Sequence, residues 1–330
     1  MKRRVFLKTI SFAAAPLWAG ATYGATHGDS SAGPAIATVD VLDWNWIDVS
    51  RQRPVPARMY LPAGLTEDEP APLVLFSHGI GGSRFGYAHI GRHLASAGFA
   101  SLHLQHSGSD RALWLSGHPW AVVNRLHQAA QEREAMARVY DLRFALDQVF
   151  SQRIGTLLDS QRIAAAGHSY GANTVLLAAG AHVVREGRAL ELAEPRIRAV
   201  AAISTPAFYG EPSLENLLGP IRVPSLHISS TDDVIRIPAY ISGPEDRVAA
   251  FEAIGSAQKV LVLFNGGSHR VFTDRRGIGD WTLDAKIKAA SRELVSAFLA
   301  LILKNEMNRL QRWTTNHSVL LSQFKQQGLT

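Results

Sequence analysis

A hydroxyl becomes a useful nucleophile when an imidazole stands ready to take its proton and a carboxylate holds that imidazole in the right tautomer. Ser169 is a candidate for such a hydroxyl, inside Gly167-His168-Ser169-Tyr170-Gly171. Small residues lead in (Arg162-Ile163-Ala164-Ala165-Ala166), and a helix-forming stretch, 172–179, follows. An apolar run, G-x-S-x-G and then a helix put the serine on a sharp strand-to-helix turn that pushes its side chain outward. The flanking glycines leave room for strand and helix to approach closely. A serine that merely caps a helix fits the same five residues, so partners must decide. Downstream, 225–229 runs into Ser230-Thr231-Asp232-Asp233, and the apolar run 259–264 leads into Asn265-Gly266-Gly267-Ser268-His269. An acid and then a histidine thus follow the serine, each just beyond a buried-type strand.

The elements that must position these groups alternate in type. Two β-like runs, 36–49 and 54–61, flank the polar turn Ser50-Arg51-Gln52-Arg53 and predict an antiparallel edge hairpin. Continuous apolar runs at 72–77, 99–105, 162–167, 197–204, 223–229 and 259–264 have the pattern of strands buried on both faces. Helical patterns fall between them, to about 97, from 121 or 128 to 152 (Met136, Val139, Leu142, Leu146, Val149), over 172–185, near 245–254 and over 283–303. Such alternation predicts an α/β fold of three layers, with strand C-terminal ends gathered on one edge. Residues 304–330 predict an amphipathic helical extension carrying Met307, Leu310, Trp313, Leu320, Leu321 and Phe324.

These motifs carry a resemblance. Phe76-Ser77-His78-Gly79-Ile80-Gly81-Gly82, Gln105-His106-Ser107-Gly108-Ser109-Asp110, Gly167-His168-Ser169-Tyr170-Gly171-Ala172, Ser229-Ser230-Thr231-Asp232-Asp233 and Gly267-Ser268-His269 resemble an α/β-hydrolase. The similar group is the serine-using dienelactone hydrolase-like and platelet-activating-factor acetylhydrolase-like one, over roughly 38–303. The resemblance implies an α/β-hydrolase fold, mostly parallel, with the N-terminal antiparallel hairpin. It implies Ser169 as nucleophile, His269 as base and then acid, and Asp232 as the orienting acid; Asp233 is the alternative acid, and on the favoured register it is a solvated or capping neighbour. It also implies an oxyanion hole built from the backbone N–H groups of Ile80 and Tyr170. True dienelactone hydrolases use a cysteine nucleophile, and this chain has no cysteine, so that substrate is not implied. The expected activity is a serine ester hydrolase with an acyl-enzyme intermediate and no cofactor, acting on a small-molecule or lipid-like ester. An amidase or peptidase, and a non-catalytic binder on the same scaffold, are the alternatives.

Other groups need placing. His78 braces its loop on this reading, and His78, His106, His168 and Trp114 are candidates for the border of a pocket. His89 and His93 have the i, i+4 spacing of a two-histidine zinc face, but without the glutamate of H-E-x-x-H they read as a packing pair, and no metal site is expected. Segments 107–127 and 205–220 are candidates for caps over the site.

Residues 1–25 read as a targeting segment. Arg3-Arg4-Val5-Phe6-Leu7-Lys8 resembles a twin-arginine export signal, and Ala19/Ala21 fits a cleavage site. The uncharged stretch that follows is broken by Pro16 and too weakly apolar for a comfortable span. Lys2, Arg3, Arg4 and Lys8 supply four of the 34 basic residues and no acidic ones. The remainder carries 30 basic and 28 acidic residues, so the formal +6 is poor evidence for a nucleic-acid partner. The expected partners are an ester and the twin-arginine export machinery, with no nucleic acid, and the expected compartment is the periplasm or the exterior. A chain without cysteine suits that oxidising setting.

Overall fold

The computed structural model describes residues 39–115, 119–208, 210–211, 213–237, 240–274 and 280–329. The targeting segment 1–25 lies outside the described residues, as do parts of both cap candidates, 116–118 and 209 and 212. The chain opens with β1 (Val39–Asp48) and β2 (Arg53–Pro62), antiparallel from Val39↔Pro62 to Asp48↔Arg53. Next come β3 (Ala71–Ser77), α1 (Ala88–Ser96), β4 (Ala100–Leu104), α2 (Pro119–Ala129) and α3 (Glu132–Ser151). Then follow β5 (Leu158–His168), α4 (Tyr170–Ala178), the small hairpin β6 (Val184–Arg185) and β7 (Arg188–Ala189), β8 (Ile197–Ile203) and α5 (Leu214–Leu218). β9 (Ser225–Asp232) leads to a second hairpin, β10 (Ile235–Ile237) and β11 (Tyr240–Ser242), and to α6 (Pro244–Ala253). The chain closes with β12 (Lys259–Ser268), α7 (Trp281–Lys304), α8 (Asn308–His317) and β13 (Leu321–Gln327).

Nine strands make one sheet, in the order β1-β2-β4-β3-β5-β8-β9-β12-β13. The six from β4 to β12 are parallel. β1 and β2 at one edge and β13 at the other run antiparallel to their neighbours. Alternate residues of a strand point to opposite faces, and the core divides accordingly. Leu73 and Leu75 of β3 pack with Val139, Leu142 and Leu146 of α3 and Val175 of α4, whereas Val74 and Phe76 pack with Ile90 and Leu94 of α1 and Leu294 and Phe298 of α7. The result is three layers. Because the six central strands are parallel, β3, β5, β8, β9 and β12 all deliver their last residues to one edge of the sheet.

Three expectations are corrected. The helix expected over 172–185 stops at Ala178, followed by Gly180 at φ 110°, which starts a turn toward β6. The helix expected up to 152 is two, α2 and α3, parted at 130–131. The segment 304–330 is not a separate helical extension. α8 buries Leu310 and Trp313 against α7, and β13 extends the sheet by pairing with β12 from Lys259↔Gln327 to Phe264↔Leu321. Ser322-Gln323-Phe324-Lys325-Gln326 has little strand character of its own. The open edge of β12 fixes it, since strand preference depends mainly on the neighbour a strand packs beside.

Candidate active site

Ser169 lies between β5 and α4 with φ 55° and ψ −125°, a strained backbone for a residue with a side chain. Strain of this kind persists only where the surroundings force it. Here the turn is so tight that a Cβ on Gly167 would strike the carbonyl of Gly171, and one on Gly171 the carbonyl of Ser77. Ser169 is 7 % exposed, and its Oγ lies 3.0 Å from His269 Nε2. His269 follows β12 directly. Its Nδ1 lies 2.7 Å from Asp233 Oδ1 and 2.7 Å from Ser204 Oγ. With the Nδ1 proton held toward Asp233, Nε2 is left as the acceptor facing the Ser169 hydroxyl.

The acid beside His269 is Asp233, and the expectation of Asp232 is corrected. β9 extends through Asp232, which pairs in register with Ser268 and points to solvent, its Oδ1 accepting from Thr231 Oγ1 at 3.3 Å. The chain turns one residue later, with the Val234 N–H donating to the Asp232 carbonyl, and so aims Asp233 inward. Asp233 is fully buried. Its Oδ2 accepts from Ser204 Oγ at 2.5 Å and Ser229 Oγ at 2.6 Å, and the Arg247 guanidinium of α6 lies 3.3 Å from Oδ1. Burial alone would raise the Asp233 pKa. The hydrogen bond and charge of His269, the Arg247 charge and the Ser204 hydroxyl outweigh it and hold the carboxyl far below its usual range.

The loop after β3 covers the serine. A Cβ on Gly79 would lie 3.2 Å from that of Ser169. Gly82 N–H donates to the Gly79 carbonyl and Gly81 N–H to the Ser109 carbonyl, closing a tight turn. The Ile80 N–H has no backbone acceptor among the described residues. Tyr170 is the first residue of α4, so its N–H has no carbonyl a turn behind it. The two expected oxyanion donors therefore have the free valence that role needs.

Of the expected border residues, the three histidines are buried braces. His78 Nδ1 donates to the Gly79 carbonyl at 2.7 Å while Nε2 accepts the His106 N–H at 3.1 Å. His106 has no exposure and bonds Ser77 Oγ and Asp141, at 2.9 and 3.0 Å, so it does not border a pocket. His168 is buried too. It links Tyr87 Oη (2.8 Å) to the His269 carbonyl (3.2 Å), and Tyr87 Oη also accepts the Gly79 N–H at 3.3 Å. Burial drives His78, His106 and His168 well below the usual imidazole range, leaving all three neutral. Trp114 is 46 % exposed, its indole N–H donating to the Gly81 carbonyl at 3.0 Å. His89 and His93 part company, to Asp274 (2.6 Å) and Ser296 (2.9 Å), and no group of three metal-ligating side chains occurs among the described residues. Sequence reading missed Tyr87, Ser204 and Arg247, whose contacts are with residues far along the chain, and the part of Ser229, whose hydroxyl meets Asp233 four residues on.

Comparison with known proteins adds to this geometry. The family model described as platelet-activating factor acetylhydrolase, isoform II, matches residues 53–116, the span from β2 past the His78 loop. No curated protein matches. Among solved structures, a ferulic acid esterase from Streptomyces cinnamoneus superposes with a TM-score of 0.60 at 20 % identity, over 84 % of this chain and 93 % of that one. The chain has an α/β-hydrolase fold. In an α/β-hydrolase fold the turn after this central strand is where a nucleophile stands exposed to substrate, and Ser169 occupies it here. The departure from the expected register lies in the acid alone, one residue later than the motif suggests.

Proposed function

We propose that the protein is a serine ester hydrolase. One observation carries the reading: the unbroken chain from Ser169 Oγ to His269 Nε2 (3.0 Å) and from His269 Nδ1 to Asp233 Oδ1 (2.7 Å). His269 takes the Ser169 proton as Oγ attacks the ester carbonyl. The Ile80 and Tyr170 N–H groups receive the negative charge that develops on the carbonyl oxygen. The tetrahedral intermediate collapses, the alcohol leaves with the proton from His269, and an acyl group remains on Ser169. Water, deprotonated by His269, attacks this acyl group and frees the acid. Asp233 stabilises the imidazolium formed twice per cycle, and its low pKa keeps it an anion throughout. The acetylhydrolase family match and the ferulic acid esterase likeness support esters as the bond class. The substrate is a small-molecule or lipid-like carboxylic ester, and the chemistry above calls on no cofactor. The test is turnover of a short p-nitrophenyl ester. Ser169→Ala should lose at least about 10⁴-fold in kcat, and activity like the wild type in a folded Ser169→Ala would refute the role.

Export to the periplasm or beyond by the twin-arginine route belongs to the same proposal, supported by Arg3-Arg4-Val5-Phe6-Leu7-Lys8. Replacing Arg3 and Arg4 with lysine should leave the protein in the cytoplasm; unchanged recovery from the periplasm would rule the route out.

A further inference from the structure

On the ester-hydrolase reading, the Ile80 and Tyr170 N–H groups must hold one separation, because a donor displaced by about 1 Å no longer meets the developing charge. They sit on different elements, Ile80 on the loop after β3 and Tyr170 on the first turn of α4. Arg138 of α3 lies between these elements with no exposure at all. Toward α4, its Nε donates to Thr174 Oγ1 at 2.8 Å, and that hydroxyl donates to the Tyr170 carbonyl at 2.9 Å. Its guanidinium carbon stands 4.5 Å from the centre of the Tyr170 ring. Toward the loop, Nη2 donates to Ser77 Oγ at 3.0 Å and to the His78 carbonyl, two residues before Ile80. Nη1 donates to Ser109 Oγ at 2.8 Å, and the Ser109 carbonyl accepts the N–H of Gly81 at 2.8 Å.

We propose that Arg138 is a positioning residue that sets the separation of the two oxyanion donors. Its rigid fork reaches the segment carrying each donor at once, which one ammonium on a flexible stem does not reproduce. A second tier holds the fork's acceptors. Ser109 Oγ donates to Glu134 Oε1 at 2.8 Å, and Ser77 Oγ meets His106 Nε2 at 2.9 Å, whose Nδ1 meets Asp141 at 3.0 Å. Arg53 then grips both carboxylates, at 2.9 Å each. Arg138 itself faces hydroxyls and a carbonyl rather than a carboxylate, so its bonds define positions without neutralising the cation.

The inference rests on the hydrolase reading, and the experiment separates the two. An ester and its thionoester, sharing acyl group and p-nitrophenol, differ at the atom that enters the oxyanion hole. Sulfur is larger and a poorer acceptor, so the ratio of the two rates reports how well the donors are placed. In Arg138→Lys and Thr174→Val, kcat on the ester should fall about tenfold or more with KM within about twofold, and the ester-to-thionoester ratio should fall with it. Leu310→Ala, which removes packing on the distant α8, should leave that ratio at its wild-type value. A normal kcat in either variant, or a lower kcat with an unchanged ratio, would overturn the proposal. Should Arg138→Lys fail to fold, Thr174→Val decides alone. A wild-type protein without turnover would instead overturn the hydrolase reading, and the inference with it.

Discussion

Asp233 and Arg138 are both fully buried, one behind His269 and the other behind the loop that faces Ser169, and their surroundings are opposite in kind. Asp233 collects donors: two serine hydroxyls, an imidazole and a guanidinium. Arg138 collects acceptors: three hydroxyls, a carbonyl and the face of a tyrosine ring. In the proposed mechanism Asp233 is a charge whose partner changes protonation during the cycle, so its environment must tolerate His269 as imidazole and as imidazolium. Arg138 is a charge that must never change. Burial lowers its pKa to about 10, which still leaves it protonated at neutral pH. On this proposal one buried ion serves proton traffic and the other serves geometry. Removing them should therefore damage different parts of the rate.

The largest effect falls on the proton side. Asp233→Asn keeps the shape but favours the wrong imidazole tautomer, and kcat on a short ester should fall about 10⁴-fold. Asp232→Asn, at the solvent-facing neighbour, should stay within about twofold of the wild type. Steady-state kinetics on the pair checks both, and a reversed order would restore Asp232 as the acid. The geometry side comes next, with the roughly tenfold loss expected of Arg138→Lys. Its signature is the thionoester ratio, which Asp233→Asn should move far less.

The smallest effect is a shift in pH dependence. The Arg247 cation helps hold Asp233 ionised. In Arg247→Met the Asp233 carboxyl loses one of the charges that hold its pKa down, so that pKa should rise toward the usual carboxylate range. Ser204, Ser229 and the neighbouring neutral His168 remain in place around the pair. The effect is read in stability. A carboxyl held below its unfolded value of about 4 contributes stability that is complete above that pH and is lost as pH falls through the folded value. The melting temperature of Arg247→Met should therefore depend less on pH below about 4 than that of the wild type. A melting temperature that keeps the wild-type pH dependence in Arg247→Met would show that Arg247 acts only in packing.

Ser169 and His269 were legible because each is marked locally, by glycines around a serine after an apolar run and by a glycine-rich loop before a histidine. The fold was legible for a similar reason, since strands buried on both faces leave continuous apolar runs at 72–77, 162–167 and 259–264. The motif favours Asp232 over Asp233, one residue early, because where β9 ends is set by pairing with β12 rather than by its own residues. Arg138 stands between Met136 and Val139 of an apolar stripe, and only Glu134 and Asp141, one turn to either side, hint at a charged row along the same helix. The polar residues of β13 suggest helix by their own pattern and acquire strand structure only against the β12 edge.

The central claim is that Ser169 is the nucleophile of the chain Ser169–His269–Asp233, and covalent labelling tests it most directly. The purified, folded protein is treated with a fluorophosphonate, and the adduct is located by peptide mass mapping. One adduct per chain on the peptide containing Ser169, greatly slowed in Asp233→Asn and absent in Ser169→Ala, is the predicted result. Folded protein that stays unlabelled, or carries its adduct on another residue, would contradict it.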